Sequence, residues 1–301
     1  PIYRILRVPV AFGPTRDPEK IDHIIEKRIE RYRQNAYLRN SGFDFSGISA
    51  NQAGYERVME TLQPEVERIR ERYVTQLFYS TSIAQNGFLD ALLIFSASVN
   101  LIKEIFILYN GRVSNRELLV IGKKVYMSMA IGGSESIEYA TGEILSKMTF
   151  EGLKSMPFAD KIMGSVADGF VNSVLLTRVA LITENYCKKV YIQSDRDLIP
   201  SPRLIASTAK NITADVTDTL VGVVKNLGER SWGRAKDFAN YAANPMRYLY
   251  QKVIEASAQT ESDEETSKID DIKEVISKSS SSIGHGVSSL FGIFKGKTGT
   301  T

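Results

Sequence analysis

The sequence predicts an all-α fold: a multi-helix bundle with a long charged helical arm and a disordered C-terminal tail. Three observations predict it. Apolar residues recur at alternating steps of three and four through most of the chain before Leu198, which marks helices with a buried face. Helix-start signals, an aspartate or serine followed by proline or glutamate, precede several of those runs. From Gln259 onward the composition turns acidic and serine-rich, too poor in apolar surface to offset the entropy of ordering. The 301 residues with 43% hydrophobic side chains suffice for one large domain or two smaller ones. The expected organisation is a lead-in and charged arm over 1–86, an apolar helical core over 87–198, amphipathic helices over 199–258 and the tail over 259–301.

Taken in order, Pro1 to Gly13 reads as an extended or amphipathic lead-in, with Arg4 and Arg7 among aliphatic residues. Asp17-Pro18-Glu19 is a helix start, with a capping carboxylate, proline at the first helical position and an acid in the first turn. That helix places Ile21, Ile25, Ile29 and Tyr32 on one face and is expected to run to Asn40-Ser41-Gly42. A second helical stretch carries Tyr55, Val58, Leu62, Val66, Ile69 and Tyr73 at heptad-like spacing, with Pro64 either kinking it or starting a fresh helix. Glu65, Glu67, Arg68, Arg70, Glu71 and Arg72 surround that stripe. They suggest a coiled-coil or hairpin arm, or simply a solvated charged face.

The helix from about Phe88 to Asn110 is the most apolar of the chain. Leu92, Phe95, Val99, Ile102, Phe106 and Tyr109 form one stripe, and Ser96, Asn100, Lys103 and Glu104 leave a narrow polar seam. A helix apolar over most of its circumference belongs inside a bundle or against a membrane. Lys103 and Glu104 interrupt it short of the roughly 20 apolar residues of a membrane span. Ser114-Asn115-Arg116-Glu117 is a capping box, in which serine and glutamate each satisfy an orphan backbone N–H. It opens a helix through Leu118, Leu119, Ile121, Val125 and Met129, stopped at Gly132-Gly133. Ser134 to Glu138 starts another, ending near Met148, and Pro157 turns the chain. A long helix then covers about Ala159 to Lys188. Gly164 and Gly169 fall inside it, each costing about 1 kcal/mol relative to alanine, acceptable where a neighbour must come close. Arg178 sits among Val174, Leu175, Leu181 and Ile182; buried, it needs a carboxylate, and Glu104, Asp168 and Glu184 are the candidates. After Ile199-Pro200, Arg203 to Ala258 is helical but thinner in large aliphatics, with Trp232, Tyr241 and Tyr248 near basic residues.

The net charge of +3 gives no argument for nucleic acid, and the pI near 8.8 suits an anionic membrane face among other things. A single cysteine, Cys187, forbids an intramolecular disulfide. Three catalytic look-alikes fail. Gly296-Lys297-Thr298 resembles the end of a phosphate-binding loop, but Phe291 stands where its first glycine belongs. Ser207-x-x-Lys210 with Lys297-Thr298-Gly299 imitates penicillin-recognising enzymes without the serine-x-asparagine motif between. The only histidines, His23 and His285, sit at opposite ends and build no metal cluster. The expectation is a protein without catalytic, cofactor or metal residues, hence not an enzyme.

Two separated motifs carry a family resemblance. Asn100-Leu101-x-x-Glu104-Ile105-x-x-Leu108-Tyr109-x-Gly111-Arg112 is followed about sixty residues on by Gly169-x-Val171-Asn172-x-x-Leu175-Leu176-Thr177-x-Arg178. Together they resemble the YcjF-like family of bacterial membrane-associated proteins, whose helical domain occurs with or fused to P-loop GTPases. The resemblance covers about Gly87 to Leu198. It departs from the family where Asn110 separates Tyr109 from the glycine and where Ala180 replaces a common glycine. It implies a helical domain at the cytoplasmic face of the bacterial inner membrane, anchored by residues upstream of Pro1, with a GTPase-like P-loop protein as partner. The motif residues Asn100, Glu104, Tyr109, Gly111, Arg112, Gly169, Asn172, Thr177 and Arg178 are then the candidate interaction set. A structural account stands beside it: Gly111 ends a helix in the left-handed conformation, and Asn100 and Asn172 hydrogen-bond across two packed helices. The expected function is a non-enzymatic helical scaffold or accessory protein, with a second copy of the chain among its candidate partners. The alternative is a lipid-binding or membrane-remodelling protein acting through the C-terminal amphipathic helices.

Overall fold

The computed structural model describes residues 18–84, 87–131, 138–139 and 159–214. Over these the protein is all-α, with no β-strand among the described residues. The elements are α1 (Pro18–Tyr32), α2 (Ala36–Asn40), α3 (Gln52–Ala84), α4 (Gly87–Asn110), α5 (Asn115–Ile131), α6 (Ala159–Lys188), a 3-10 turn (Asp195–Leu198) and α7 (202–214). The lead-in, the helix expected after Ser134, most of 203–258 and the tail lie outside the described residues.

Pro18 opens α1 as expected, but the helix stops at Tyr32 rather than reaching Asn40. The cause is Asn35, whose side chain accepts from the Leu38 amide at 3.2 Å and donates to the Leu108 carbonyl at 2.6 Å. It caps a new short helix, which Gly42 ends at φ +72°. Ser46 and Asp44 then tie the following loop, side chain to side chain, at 2.6 Å.

Helix α3 runs unbroken through Pro64 for 33 residues, so the proline starts no fresh helix. Nor does it stand out as an arm: Val58, Leu62 and Val66 are 0% exposed, and its charged residues mostly line the outward side. Arg70 is the exception, as described below. Helix α4 matches its expected span and ends where Gly111, at φ +78°, donates its amide to the Ile107 carbonyl at 2.7 Å. By length and composition α4 passes for a membrane span after all, with a mean hydropathy of 1.9 over Asp90–Asn110; two charges do not disqualify a window of that hydropathy. The Ser114–Glu117 capping box is formed in full, Glu117 accepting the Ser114 amide at 2.8 Å and donating its own to Ser114 Oγ at 3.2 Å.

The described residues belong to two compact units. Those of the first fall in Pro1–Arg72, Ser98–Ser136 and Thr177–Ile205; those of the second in Tyr73–Ala97, Ile137–Leu176 and Ala206–Thr301. Helices α3, α4 and α6 each contribute to both. The first unit is cored by Ile25, Leu38, Leu62, Leu101, Ile105 and Ile182, and the second by Val74, Phe78, Phe170, Leu176 and Ala209, all buried.

Candidate functional site

The densest polar chemistry in the first unit gathers around the C-terminal end of α6. A helix leaves its last carbonyls without intrahelical donors, and here other helices supply them. Arg28 of α1 donates from Nη1 to the Cys187 carbonyl at 3.1 Å. Tyr55 of α3 donates its hydroxyl to the Lys188 carbonyl at 2.8 Å. The two are joined, since Arg28 Nη1 also donates to the Tyr55 hydroxyl at 2.7 Å. A cation at a helix C-terminus meets the negative end of the macrodipole. Both side chains are buried, Arg28 at 7% exposure and Tyr55 at 3%. Burial pulls against the Arg28 charge, yet Tyr55, Tyr32 and Cys187 around it hold its pKa above the usual arginine value. Burial raises the Tyr32 and Tyr55 hydroxyls and pushes the Cys187 thiol up to about 12.

One turn earlier, Glu184 is the hub of an ion-pair network. Its Oε2 accepts from Arg70 Nη1 at 2.9 Å, and its Oε1 meets Lys188 Nζ at 2.6 Å. Lys188 Nζ also donates to Gln63 Oε1. Tyr109 closes the cluster from α4, 1% exposed, its hydroxyl without a hydrogen-bond partner. Burial raises the Tyr109 pKa and the Glu184 charge raises it further. At neutral pH the thiol and the phenols stay protonated. The arrangement therefore works as a lock on the end of α6, with the Glu184 carboxylate balancing Arg70 and Lys188.

Beside the lock lies an open groove of about 630 Å³, lined by Tyr55, Met59, Lys188, Tyr191, Gln193 and Asp197 among others. Several of its polar groups are engaged with the protein. Lys189 Nζ donates to the Asp197 carbonyl, and the amides of Ser194 and Gln193 hold the Asp197 carboxyl below the usual range. Among the described residues, no group of three or more His, Cys, Asp or Glu side chains could hold a metal ion.

The motif residues occupy varied settings. Glu104 pairs with Arg72 at 2.5 Å. Tyr109 belongs to the lock, and Gly111 ends α4. Arg112 is exposed, with like charge at Arg31, whose pKa falls chiefly through burial. Thr177 is 0% exposed, with no partner for its hydroxyl. Arg178, 2% exposed, donates from Nη2 to the Met129 carbonyl at 3.0 Å. Two of the carboxylates expected for it are occupied otherwise, Glu104 by Arg72 and Glu184 by Arg70, and Asp168 is exposed. A main-chain carbonyl takes part of the role assigned to an acid. In the second unit, Gly169 lies where a Cβ would strike Ser82 Oγ and come within 3.0 Å of the Phe78 carbonyl, which is the close helix approach its position implied. Asn172 is 9% exposed, whereas Asn100, of the first unit, is exposed.

Sequence reasoning missed Arg28 and misassigned Arg70 to the solvated face. Both carried a readable signal. Arg28 follows Ile25 by three, and Arg70 follows Val66 by four, so each stands in the phase of its helix's apolar stripe. No protein-family model, curated protein or solved structure matches this chain.

Proposed function

We propose that this chain is a non-enzymatic helical scaffold that works at a membrane surface together with a GTPase-like P-loop protein. The observation that carries the membrane half is α4. Its apolar window, mean hydropathy 1.9, is only 28% buried within the protein, whereas the comparable window of α6 is 78% buried. An apolar helix so incompletely covered has lower free energy against a second apolar phase. The partner half rests on the two-part motif and its resemblance to the YcjF-like family.

Scaffold rather than catalyst is the reading the polar groups favour. Arg28, Tyr55, Arg70 and Glu184 hydrogen-bond to one another and to the end of α6. The partner half is tested by crosslinking the chain in its native cells and identifying what is captured. A P-loop NTPase enriched over an unrelated helical bait is the expected result; capture without any P-loop protein overturns that half. Flotation with liposomes tests the membrane half, and a chain that stays with the soluble fraction at every lipid composition overturns it.

A further inference from the structure

Helix α5 turns the wrong face outward. Leu119 is one of the apolar residues through which the sequence predicts the helix to run, yet it is 67% exposed, with Val120 57%, Met127 52% and Ile131 45%. The buried side is carried instead by Ile121, Val125 and Ser128. Positions 119, 120, 123, 127 and 131 recur by three and four, so these side chains form one continuous stripe along the helix. Lys123 lies in the middle of the stripe, and Arg116 stands at its N-terminal end; both are exposed. Neither makes an ion pair with a described residue. The sole acid of α5, Glu117, is tied into the capping box with Ser114. The opposite side is fixed to the protein, Lys124 reaching Asp195 at 2.5 Å, so rolling the helix to hide the stripe would break its packing.

We propose that this face of α5 is a docking surface for an anionic lipid bilayer, with α5 lying in the interface plane. The inference rests on the membrane half of the proposed function and specifies where contact occurs. Aliphatic side chains would enter the boundary between headgroups and acyl chains, while Arg116 and Lys123 extend along it to phosphate. Charge complementarity selects this occupant. A second copy of the chain docked symmetrically would bring four cations together with no acid on the face to pair them.

The test uses the full chain with vesicles of phosphatidylcholine alone or with 30% phosphatidylglycerol, a composition chosen as roughly that of an anionic leaflet. Partitioning is read by flotation, and depth by an environment-sensitive fluorophore on Met127→Cys, Cys187 being buried. The expected result is binding to the anionic vesicles with a blue-shifted label. The double variant Arg116→Gln/Lys123→Gln should weaken partitioning about 30-fold, from about 1 kcal/mol per basic residue near the surface. Leu119→Ser/Met127→Ser should weaken it as well. All four positions are exposed, so helicity by circular dichroism should not change. Binding that survives both double variants, with an unshifted label, overturns the assignment to α5 while leaving membrane attachment intact. Failure of the parent chain to float overturns both. A concentration-dependent dimer in sedimentation that Leu119→Ser/Met127→Ser abolishes, without lipid binding, shows the face to be protein-covered and also overturns the proposal.

Discussion

Replacing Glu184 by glutamine should destabilise the fold more than removing either of its cationic partners. Glu184 is 6% exposed and sits four residues from the C-terminal end of α6, where the macrodipole disfavours negative charge. Two cations hold it there, Arg70 at 2.9 Å and Lys188 at 2.6 Å. Glutamine leaves the Arg70 guanidinium, 8% exposed, with only the half-exposed Glu67 at 4.0 Å as counter-charge, so the cost should fall at the lower end of the about 3–5 kcal/mol of a broken buried pair. Arg70→Met leaves Glu184 with Lys188 still attached, and Lys188 is 27% exposed, so water shares in the compensation. Its cost should be roughly half as large, about 1–3 kcal/mol. The double variant Arg70→Met/Glu184→Met removes both buried charges and should recover much of the loss. Urea unfolding followed at 222 nm measures the series, with comparisons made at constant m-value. The reasoning is refuted if Glu184→Gln costs under about 1 kcal/mol, or if Arg70→Met proves the more damaging single change.

Three other predictions draw on the same geometry. Tyr55→Phe removes an oxygen that accepts from Arg28 and donates to the Lys188 carbonyl, and should cost about 1–3 kcal/mol, read as a lowered thermal midpoint. Gly169→Val should destabilise by at least about 2 kcal/mol because its side chain meets Ser82 and the Phe78 carbonyl, while Gly164→Ala, in open space on the same helix, should stabilise by up to about 1 kcal/mol; equal effects at the two sites would refute the packing argument. Alkaline pH should unfold the protein from the α6 lock. The Cys187 thiol is held at about 12 against an ordinary 9.0, so the folded state retains the proton longer. Its contribution is complete below pH 9 and is lost as pH rises toward 12, and the buried tyrosines act in the same direction. Cys187 modification and the share of tyrosinate absorbance that comes from the buried tyrosines should therefore appear together with the loss of helicity, not ahead of it.

How much of this was legible in the sequence follows the range of the interactions. Local signals read true. Gly111 ends α4, the Ser114–Glu117 box starts α5, and the whole of α6 falls between its expected ends, because caps and periodicity act within one or two turns. The break after Tyr32 was hidden since Asn35 caps α2 while bonded to a carbonyl 73 residues away. Pro64 was ambiguous for a related reason: burial of Leu62 and Val66 on either side outweighs the one hydrogen bond a proline removes.

The polar cluster shows why charge is harder to place than apolar phase. A run such as Glu65 to Arg72 looks solvated as a whole, and most of it is. Yet burial is decided position by position, and Arg70 shares the core-facing phase of Val66 and Val74. A cation there demands a carboxylate from a distant segment, and nothing in the local sequence names Glu184, 114 residues on. The same rule applied to Arg178 found its burial, while its bond to the Met129 carbonyl leaves no trace in residue type. Helix α5 presents the inverse case. Its apolar positions outnumber what one buried face requires, and the surplus, Leu119, Val120 and Met127, is legible as surplus. Packing decides which stripe turns inward, and once Ile121 and Val125 take the core, the remaining stripe with Lys123 in its middle is what the protein offers to its surroundings.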